Sequence, residues 1–215
     1  MIIALEGIDG AGKSVQAGLL TEALRGLGHS CLELSFPDYD SFLGKHIGEL
    51  LSGRGSVDAH SVDPHSMAMW FAVERLQRMR YIDTRVYDYV VLNRYTPSNA
   101  VYQSLRLPEG ERGDFIRWVF ELEYGEFGLP RPHHTIVLDV DEALSARNVS
   151  KKGFRAYTGG GPDVYENSDI MNSAREMYRS LVRSEDGFHL VECALNSKMR
   201  APQQVRDTIL EILSI

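Results

Sequence analysis

The residues with the clearest chemical meaning lie between positions 7 and 14. This segment fits the pattern G-x-x-x-x-G-K-[ST] at every fixed position, and it ends in Lys13 and Ser14. An apolar run of β type precedes it at 1–5 and a helix-forming run follows it at 15–25, which is the context that the pattern requires. The segment predicts a P-loop, the turn that holds the phosphates of a nucleoside triphosphate. An ordinary glycine-rich turn between a strand and a helix is the less favoured alternative.

The physical basis of this prediction is a set of closely spaced hydrogen-bond donors. Glycines at 7, 10 and 12 allow the backbone to turn without Cβ clashes, so successive N–H groups and the N-terminus of the next helix can point at one polyphosphate. We expect Lys13 to reach the β- and γ-phosphates and the Ser14 hydroxyl to take a place on Mg²⁺. Binding of a nucleoside triphosphate is therefore the first functional expectation.

A helix predicted from Asp63 to about residue 82 carries a second candidate site. Phe71, Arg75 and Arg78 share one face of it, where a ring beside two guanidiniums would suit a planar, anionic ligand. A partly buried phenylalanine flanked by solvated arginines is the alternative, and on this stripe alone it is favoured. The stripe expected to face the core consists of Trp70, Val73, Leu76 and Met79.

A third group follows the apolar run at 87–92, which is typical of a central parallel strand. Ligands of open α/β sheets bind beyond the carboxyl ends of the strands, so Arg94 is expected at the same edge as the P-loop. A helix that starts near Pro97 would place Asn99 and Tyr102 one turn apart on one face.

The composition changes from position 147 onwards. The segment 147–155 is cationic, and 158–162 reads TGGGP, which can hardly hold one rigid conformation. A basic segment hinged by glycines predicts a mobile lid over phosphates, at about 147–163. A solvated loop is the alternative, and without the P-loop it would be equally acceptable. The cations of the segment are Arg147, Lys151, Lys152 and Arg155.

An alternation of strand and helix patterns supplies the scaffold for these groups. The predicted strands are 2–5, 31–35, 87–92, 135–140 and 188–193. The predicted helices are 15–25, 41–51, 63–82, one from 97, 109–124, 167–182 and one from 202. We predict an α/β fold of the P-loop type, a three-layer α/β/α arrangement with a five-stranded parallel sheet surrounded by helices, plus the mobile lid. Residues 1–215 are expected to form a single domain.

Composition excludes several classes of function. The formal net charge of −7 argues against a dedicated nucleic-acid binder, and no apolar run approaches the roughly 20 residues that span a bilayer. The apolar N-terminal stretch lacks the basic region and cleavage site of a leader, so a cytoplasmic location is expected. Cys31 and Cys193 lie in apolar runs and are expected to be small buried hydrophobes rather than a disulfide or metal pair.

Several segments, taken together, resemble the bacterial thymidylate kinases of the nucleoside-monophosphate kinase group, with the closest likeness to actinobacterial members. The P-loop is shared with many other NTPases, but its combination with Phe-Pro, Ser-Asn-x-x-Tyr and Asp-x-Tyr-Glu is far more specific. The matching pieces occur in family order along the chain: EGIDGAGKS at 6–14, FPDY at 36–39, FAVER at 71–75, NRY at 93–95, SNAVY at 98–102, LPRP at 129–132 and DVYE at 163–166.

The resemblance implies an acceptor site at about 36–105. Phe71 would stack on a thymine ring, and Arg75 and Asn99 would hydrogen-bond the edge of that ring. Tyr102 would crowd the 2′ position, so that deoxyribose is preferred.

Around the phosphates, the resemblance implies that Asp9 holds the sugar 3′-hydroxyl and helps to organise the phosphates and the metal. Tyr39 and Arg94 would position the monophosphate, while Tyr165 and Glu166 would belong to the lid side of the pocket. The acceptor set is completed by Phe36 and Pro37. The expected ATP-binding set is Gly7, Asp9, Gly10, Ala11, Gly12, Lys13, Ser14 and Val15, and the expected metal set is Ser14, Asp9 and Glu166.

Two features concern catalysis. The resemblance implies a catalytic arginine either in the P-loop or in the lid, and the P-loop of this chain has none. It therefore implies Arg147 and Arg155, with the neighbouring lysines, as the candidates to cover the transferred phosphoryl group alongside Lys13 and Arg94. The family normally has Asp-Arg after the central strand, whereas this chain has Asn93-Arg94. An amide keeps the shape of an aspartate that would interact with Mg²⁺ but loses its charge.

The resemblance implies an enzyme that transfers the γ-phosphoryl group of ATP to dTMP with Mg²⁺, giving dTDP and ADP, and that acts as a homodimer. A paralogous kinase for another or a modified deoxynucleoside monophosphate is one alternative. A nucleotide-binding protein with little turnover is the other, motivated by Asn93.

Overall fold

The fold was taken from a computed structural model, which describes residues 1–151 and 168–215. Its main sheet has five parallel strands in the order β2-β3-β1-β4-β5, and the predicted five-stranded α/β fold is confirmed. The strands are β1 (Ile2–Glu6), β2 (Cys31–Ser35), β3 (Tyr89–Asn93), β4 (His134–Asp139) and β5 (Phe188–Glu192). A short antiparallel hairpin follows, made of β6 (Ala194–Leu195) and β7 (Lys198–Met199).

The central strand β1 is buried along its whole length. Ile3 and Leu5 enter one core cluster, whereas Ile2 and Ala4 enter another, so both faces of the sheet are covered. This explains why residues 2–5 of β1 are all apolar rather than alternating with polar ones. Its neighbours are β3, in register Ile2 with Val90, and β4. The carboxyl ends of β1 and β3 therefore meet at one edge of the sheet.

The described ranges contain eight α-helices. These are α1 (Lys13–Gly26), α2 (Phe42–Ser52), α3 (Pro64–Met79), α4 (Thr96–Ser104), α5 (Glu109–Phe120), α6 (Glu142–Lys151), α7 (Ser168–Ser184) and α8 (Pro202–Ile212). A 3₁₀ turn, Thr84–Val86, precedes β3, so the strand begins two residues later than its apolar run predicts. The helix predicted at 109–124 instead divides into α5 and a π-helical turn, Glu121–Glu126.

The starts of α2 and α3 follow the predicted capping chemistry. The Ser41 side chain accepts a hydrogen bond from the Gly44 N–H, and the Asp63 side chain accepts one from the Ser66 N–H, with Pro64 at the first position of α3. These caps fix the two helices that flank the loop at 36–40.

The predicted core stripe of α3 is wrong at two of its four positions. Met79 is buried and Leu76 packs against the core, but Trp70 is 37% exposed and Val73 is only partly buried. The buried face instead contains Met67, Ala68, Ala72, Glu74, Arg75 and Met79. The small side chains at 68 and 72 allow α3 to approach α4 closely, so that the larger apolar residues are turned outwards.

Two further predictions concern burial. Cys31 and Cys193 are both buried free thiols, as expected. No helix within 1–151 or 168–215 is both long and apolar enough to cross a bilayer. The cytoplasmic location stays a prediction.

Candidate active site

The P-loop has a backbone that only glycine tolerates well. Gly7, Gly10 and Gly12 have φ values of 129°, 80° and 97°, which side chains disfavour. A Cβ atom at Gly7 would collide with the carbonyl oxygen of Leu138, and one at Gly10 with that of Ser145. Gly12 is the N-cap residue of α1, so the loop leads directly into the helix N-terminus.

The Lys13 side chain is turned into the P-loop and does not project into solvent. Its side chain is 6% exposed, and Nζ donates hydrogen bonds to the carbonyl oxygens of Gly7 (2.9 Å) and Ile8 (2.8 Å). The ammonium group is thus held inside the curve of the P-loop by two neutral acceptors.

Arg94 lies at the P-loop edge of the sheet, as the strand argument predicts. Its N–H donates to the Leu5 carbonyl at the end of β1 (3.0 Å), and its φ of 65° is unusual for a residue with a side chain. Nη2 donates to Asp9 Oδ1 (2.7 Å), and Nη1 donates to Ser98 Oγ (3.0 Å). Burial acts to lower the pKa of Arg94, but the charge of Asp9 outweighs this and the pKa is raised. The guanidinium therefore stays charged.

Glu6, to which the sequence assigned no role, is fully buried and accepts hydrogen bonds from residues next to Arg94. Its Oε1 accepts from the Tyr95 N–H (2.8 Å), and its Oε2 accepts from Ser98 Oγ (2.6 Å) and the Tyr178 hydroxyl (3.0 Å). Burial raises the pKa of this carboxyl group. An acid that ends an apolar strand just before a P-loop could have drawn attention to this residue.

A cleft opens beside the Arg94–Asp9 pair. Its empty volume is about 560 Å³, which includes the open solvent at its mouth. The structure brings nine of the eleven expected acceptor residues together in its lining: Asp9, Phe36, Pro37, Tyr39, Phe71, Arg75, Arg94, Asn99 and Tyr102. Sequence reasoning did not include the other lining residues, Leu51, Ser98 and Gln103.

The remaining two expected acceptor residues, Tyr165 and Glu166, lie outside the described part of the chain, as do Lys152 and Arg155 and most of the predicted lid. The side chain of Lys151 lies outside it as well. Arg147 is exposed on α6 and is not among the residues that line the cleft. The same helix contacts the P-loop, because Asn148 Nδ2 donates to the Gly10 carbonyl (3.0 Å).

Arg75 is not a solvated arginine but a buried one, 2% exposed. Its Nε and Nη2 donate to the two carboxylate oxygens of Glu123 at 2.7 and 2.6 Å. Burial acts to lower the pKa of Arg75, yet the charge and hydrogen bonds of Glu123 raise it on balance. Glu123 lies on the π-helical turn, and sequence reasoning did not single it out. The alternative interpretation of solvated arginines therefore fails at this position.

The loop at 36–40 is held in place by two side chains of α3. The Phe36–Pro37 peptide bond is cis, and both residues line the cleft. Glu74 Oε1 accepts a hydrogen bond from the Asp38 N–H (2.9 Å), and Arg78 forms an ion pair with Asp38. Arg78 is thus used to hold this loop and does not line the cleft.

Glu74 makes the stability of the fold depend on pH. Burial raises the pKa of its carboxyl group from 4.5 to about 7, although the charge of Arg75 acts in the opposite direction. The folded state therefore binds this proton more tightly than the unfolded state, and the contribution of Glu74 to stability falls as the pH rises from about 4.5 to about 7.

We expect Glu74→Gln to change the free energy of unfolding more favourably at pH 8 than at pH 5, by up to about 3 kcal/mol. The reason is that the amide keeps an acceptor for the Asp38 N–H and has no charge to bury. Urea unfolding at both pH values measures this. Glu22→Gln, on the exposed side of α1, is the control. The same pH dependence in both variants would contradict the assignment.

Asn93 lies at the carboxyl end of β3, between the P-loop and β2. Its Nδ2 donates to Ser14 Oγ (3.1 Å) and to Ser35 Oγ (3.2 Å). Its Oδ1 is buried and accepts no hydrogen bond from the residues that the structure describes. The amide therefore contacts the serine expected to bind Mg²⁺, at the position where the family normally has an aspartate.

The fold and this site define a class of protein. A P-loop opens at the carboxyl edge of a parallel sheet, and a partly buried arginine links it to a cleft lined by an aromatic ring and hydrogen-bonding side chains. This arrangement is that of a P-loop kinase of the nucleoside-monophosphate group.

Comparison of the sequence with known proteins identifies the family within this class. The sequence pattern of the family described as thymidylate kinase matches residues 5–205. The chain is similar to the thymidylate kinase of Mycobacterium tuberculosis, with 35% identity over 185 residues that cover 84% of this chain and 85% of that protein. It is also similar to a probable thymidylate kinase of Pyrobaculum aerophilum, with 28% identity over 98% of this chain and 95% of the other.

A solved structure agrees at the level of the fold. The thymidylate kinase of Candida albicans superposes with a TM-score of 0.75, covering 99% of this chain and 90% of that one, at 20% identity. The chain belongs to the thymidylate kinase family. The family and the ATP-dependent phosphorylation of dTMP expected from the sequence are confirmed, and the two alternatives are not favoured.

Proposed function

We propose that the cleft holds dTMP while the P-loop holds ATP, so that the two phosphate groups meet at Arg94. The observation that carries this proposal is the chain of contacts from the P-loop to the cleft, in which Asp9 of the P-loop binds Arg94 and both line the cleft. An oxygen of the dTMP phosphate attacks the γ-phosphorus of ATP. The bond from that phosphorus to the β,γ-bridging oxygen breaks, and ADP leaves.

The protein contributes charge and position rather than a covalent partner. Arg94 is already held in place by Asp9 and Ser98, so little reorganisation is needed when a phosphate arrives. Lys13 exchanges its carbonyl partners for phosphate oxygens, which are stronger acceptors because they are charged. Arg147 and Arg155 are the candidates to cover the transferred group from the lid side.

In this proposal Phe71 stacks on the base, and Arg75 and Asn99 contact its edge. Tyr102 lies beside Arg94, whose guanidinium carbon is 5.5 Å from the centre of its ring. This contact supports a role for the tyrosine between the base and phosphate ends of the cleft, where the sugar would lie in this proposal. Tyr39 lines the same cleft and completes the phosphate end with Arg94.

The residues present fit a Mg²⁺ ion that is carried largely by the nucleotide. Magnesium keeps several waters and is usually bound through one or two carboxylates and the substrate phosphates. Ser14 and Asp9 would hold it from the P-loop, with Glu166 as the candidate from the lid side. Asn93 turns its amide nitrogen, a donor, towards Ser14 and adds no negative charge there. When bound, the ion would neutralise charge on the phosphates.

We expect Asn93→Asp to keep or raise turnover of dTMP, by up to about tenfold at low Mg²⁺, because a carboxylate can accept from the Ser14 and Ser35 hydroxyls and reinforces the metal site. Asn93→Leu, which has a similar shape and no polar group, is the matched control and should lose turnover. The measurement is the rate of ADP release over a series of Mg²⁺ concentrations. A clear loss in Asn93→Asp at saturating Mg²⁺ would show that the amide serves another acceptor or another metal arrangement.

We further propose that the chain is a homodimer whose contact surface lies on α2 and α3. Phe42 is 71% exposed, and its ring meets that of His46, which in turn faces Trp70. Beside them is a shallow apolar groove formed largely by Leu43, Met69, Trp70 and Val73. A continuous apolar surface on two adjacent helices suits a second copy of the same surface across a twofold axis.

Trp70→Lys is expected to give a monomer, because the interface would have to bury two unpaired ammonium groups. Sedimentation velocity at micromolar concentration measures the change. Tyr81→Lys replaces another highly exposed aromatic residue and should leave the assembly unchanged. If wild-type and Trp70→Lys proteins sediment alike, the surface is not the interface.

The reaction itself is tested by coupled ADP release with dTMP, dUMP, dCMP, dAMP and dGMP, each with and without Mg²⁺. We expect dTMP to have the highest kcat/KM and to require the metal. Higher kcat/KM for another monophosphate would indicate a paralogous kinase, and release no faster than without an acceptor would indicate a binding protein.

A further inference from the structure

The amide group of Asn99 has only one possible orientation. The side chain is 3% exposed, and its Nδ2 donates to the Ala68 carbonyl (3.0 Å) and to Glu123 Oε1 (2.9 Å). Both partners are acceptors only, so rotation of the amide by 180° would place Oδ1 against two oxygens. The consequence is that Oδ1 is an acceptor in a residue that lines the cleft, and it receives no hydrogen bond from the residues in the described ranges.

Glu123 also fixes the orientation of Arg75, and in doing so leaves a hydrogen-bond donor at the cleft. Two of the three guanidinium nitrogens, Nε and Nη2, donate to the Glu123 carboxylate. The third, Nη1, makes no hydrogen bond within the part of the chain that the structure describes, and Arg75 also lines the cleft. The cleft therefore has one fixed acceptor, Asn99 Oδ1, and one fixed donor, Arg75 Nη1.

This donor and acceptor pair distinguishes two classes of pyrimidine. A 4-oxopyrimidine such as thymine has a donor at N3–H beside an acceptor at O4, which matches the pair. Cytosine has an acceptor at N3 beside a donor at N4, so both of its groups would face groups of the same kind. A site that leaves buried polar groups unpaired can reject the wrong ligand by a factor of about 10⁴.

We propose that Glu123, which is fully buried, is the residue that sets this preference. It is a positioning residue that acts through Arg75 and Asn99, and the inference rests on the proposed placement of the base beside them. Its carboxylate accepts all four hydrogen bonds offered to it, since the Thr96 hydroxyl also donates to Oε2 (2.8 Å). Only an acceptor-only group can hold both neighbours in this way. Glu123 belongs to the π-helical turn Glu121–Glu126, and its carboxylate lies behind Arg75 and Asn99, which line the cleft.

The test is Glu123→Gln. Its amide N–H₂ cannot accept at the place where Oε1 now accepts from both Asn99 Nδ2 and Arg75 Nη2, so the Asn99 amide is no longer held in one orientation. When that amide rotates, Nδ2 faces the base and can donate to N3 of cytosine, whereas N3–H of thymine loses its acceptor. We expect kcat/KM for dTMP to fall by about 100-fold while that for dCMP is unchanged or rises, so that the ratio of the two falls by at least about 100-fold. The KM of ATP should be unchanged. Glu126→Gln, an exposed glutamate on the same turn, is the matched control and should leave the ratio as in wild type.

A purely structural role would give a different result. Loss of packing would lower kcat/KM for dTMP and dCMP by the same factor, and an unchanged ratio in folded Glu123→Gln would overturn the proposal. If this variant does not fold, Glu123→Asp retains the charge but is too short to reach both neighbours. We expect its dTMP to dCMP ratio to fall at least about tenfold, and an unchanged ratio would also overturn the proposal. A wild-type protein without preference for dTMP would instead contradict the proposed function itself.

Discussion

Lys13→Met is expected to lower kcat by about 10³-fold while the protein remains folded. Methionine has a similar length and suits the largely buried position, but it has no charge to stabilise the phosphates in the transition state. The hydrogen bonds from Nζ to the carbonyl groups of Gly7 and Ile8 are lost in the variant, and both are bonds to neutral acceptors, so the loss of stability should be modest. ADP release and the thermal unfolding midpoint, measured on the same preparation, separate the two effects.

The matched control is Lys45→Met on α2, which removes an exposed lysine far from the P-loop in sequence. It should retain the turnover of the wild type. Turnover near the wild-type value in Lys13→Met would show that the P-loop does not bind the phosphoryl donor.

Phe71→Ala is expected to raise the KM of dTMP by about 10- to 100-fold, because the stacking surface for the base is lost. The KM of ATP should change by less than about threefold, since Phe71 lines the acceptor cleft and not the P-loop. Steady-state kinetics with each substrate varied in turn provide the measurement.

Phe71→Tyr keeps the ring and is the control for this experiment. It should have a KM for dTMP close to that of the wild type if the added hydroxyl is accommodated at the cleft surface. The Phe71 side chain also packs against the hydrophobic core. A similar rise of both Michaelis constants in Phe71→Ala would therefore indicate that its role is core packing.

The parts of the site that sequence predicts well are local ones. The P-loop geometry depends on glycines within six positions of one another, and the caps at Ser41 and Asp63 depend on the next three residues. The position of Arg94 follows from a general property of parallel sheets. The nine acceptor residues that line the cleft come from four separate segments. The resemblance to a family, rather than periodicity, indicated that they belong together.

The parts that sequence missed depend on contacts between distant segments. Arg75 and Glu123 are 48 positions apart, and the periodicity of α3 gives no sign that a carboxylate from another element will bury its arginine. The same helix has apolar residues on two faces, so spacing alone did not exclude Trp70 from the core. Glu6 bonds to Ser98 and Tyr178, which lie 92 and 172 positions away.

The topology of the sheet also has a consequence for how the protein folds. Both neighbours of β1 come from far along the chain, since Ile2 pairs with Val90 and Ile3 with His134. During synthesis on the ribosome, the strand that leads into the P-loop therefore emerges well before β3 and has neither of its sheet neighbours until β3 follows. Such long-range pairing slows folding and leaves an apolar strand exposed to aggregation meanwhile. We therefore expect truncated chains that end before β3 to be captured by chaperones through this first strand.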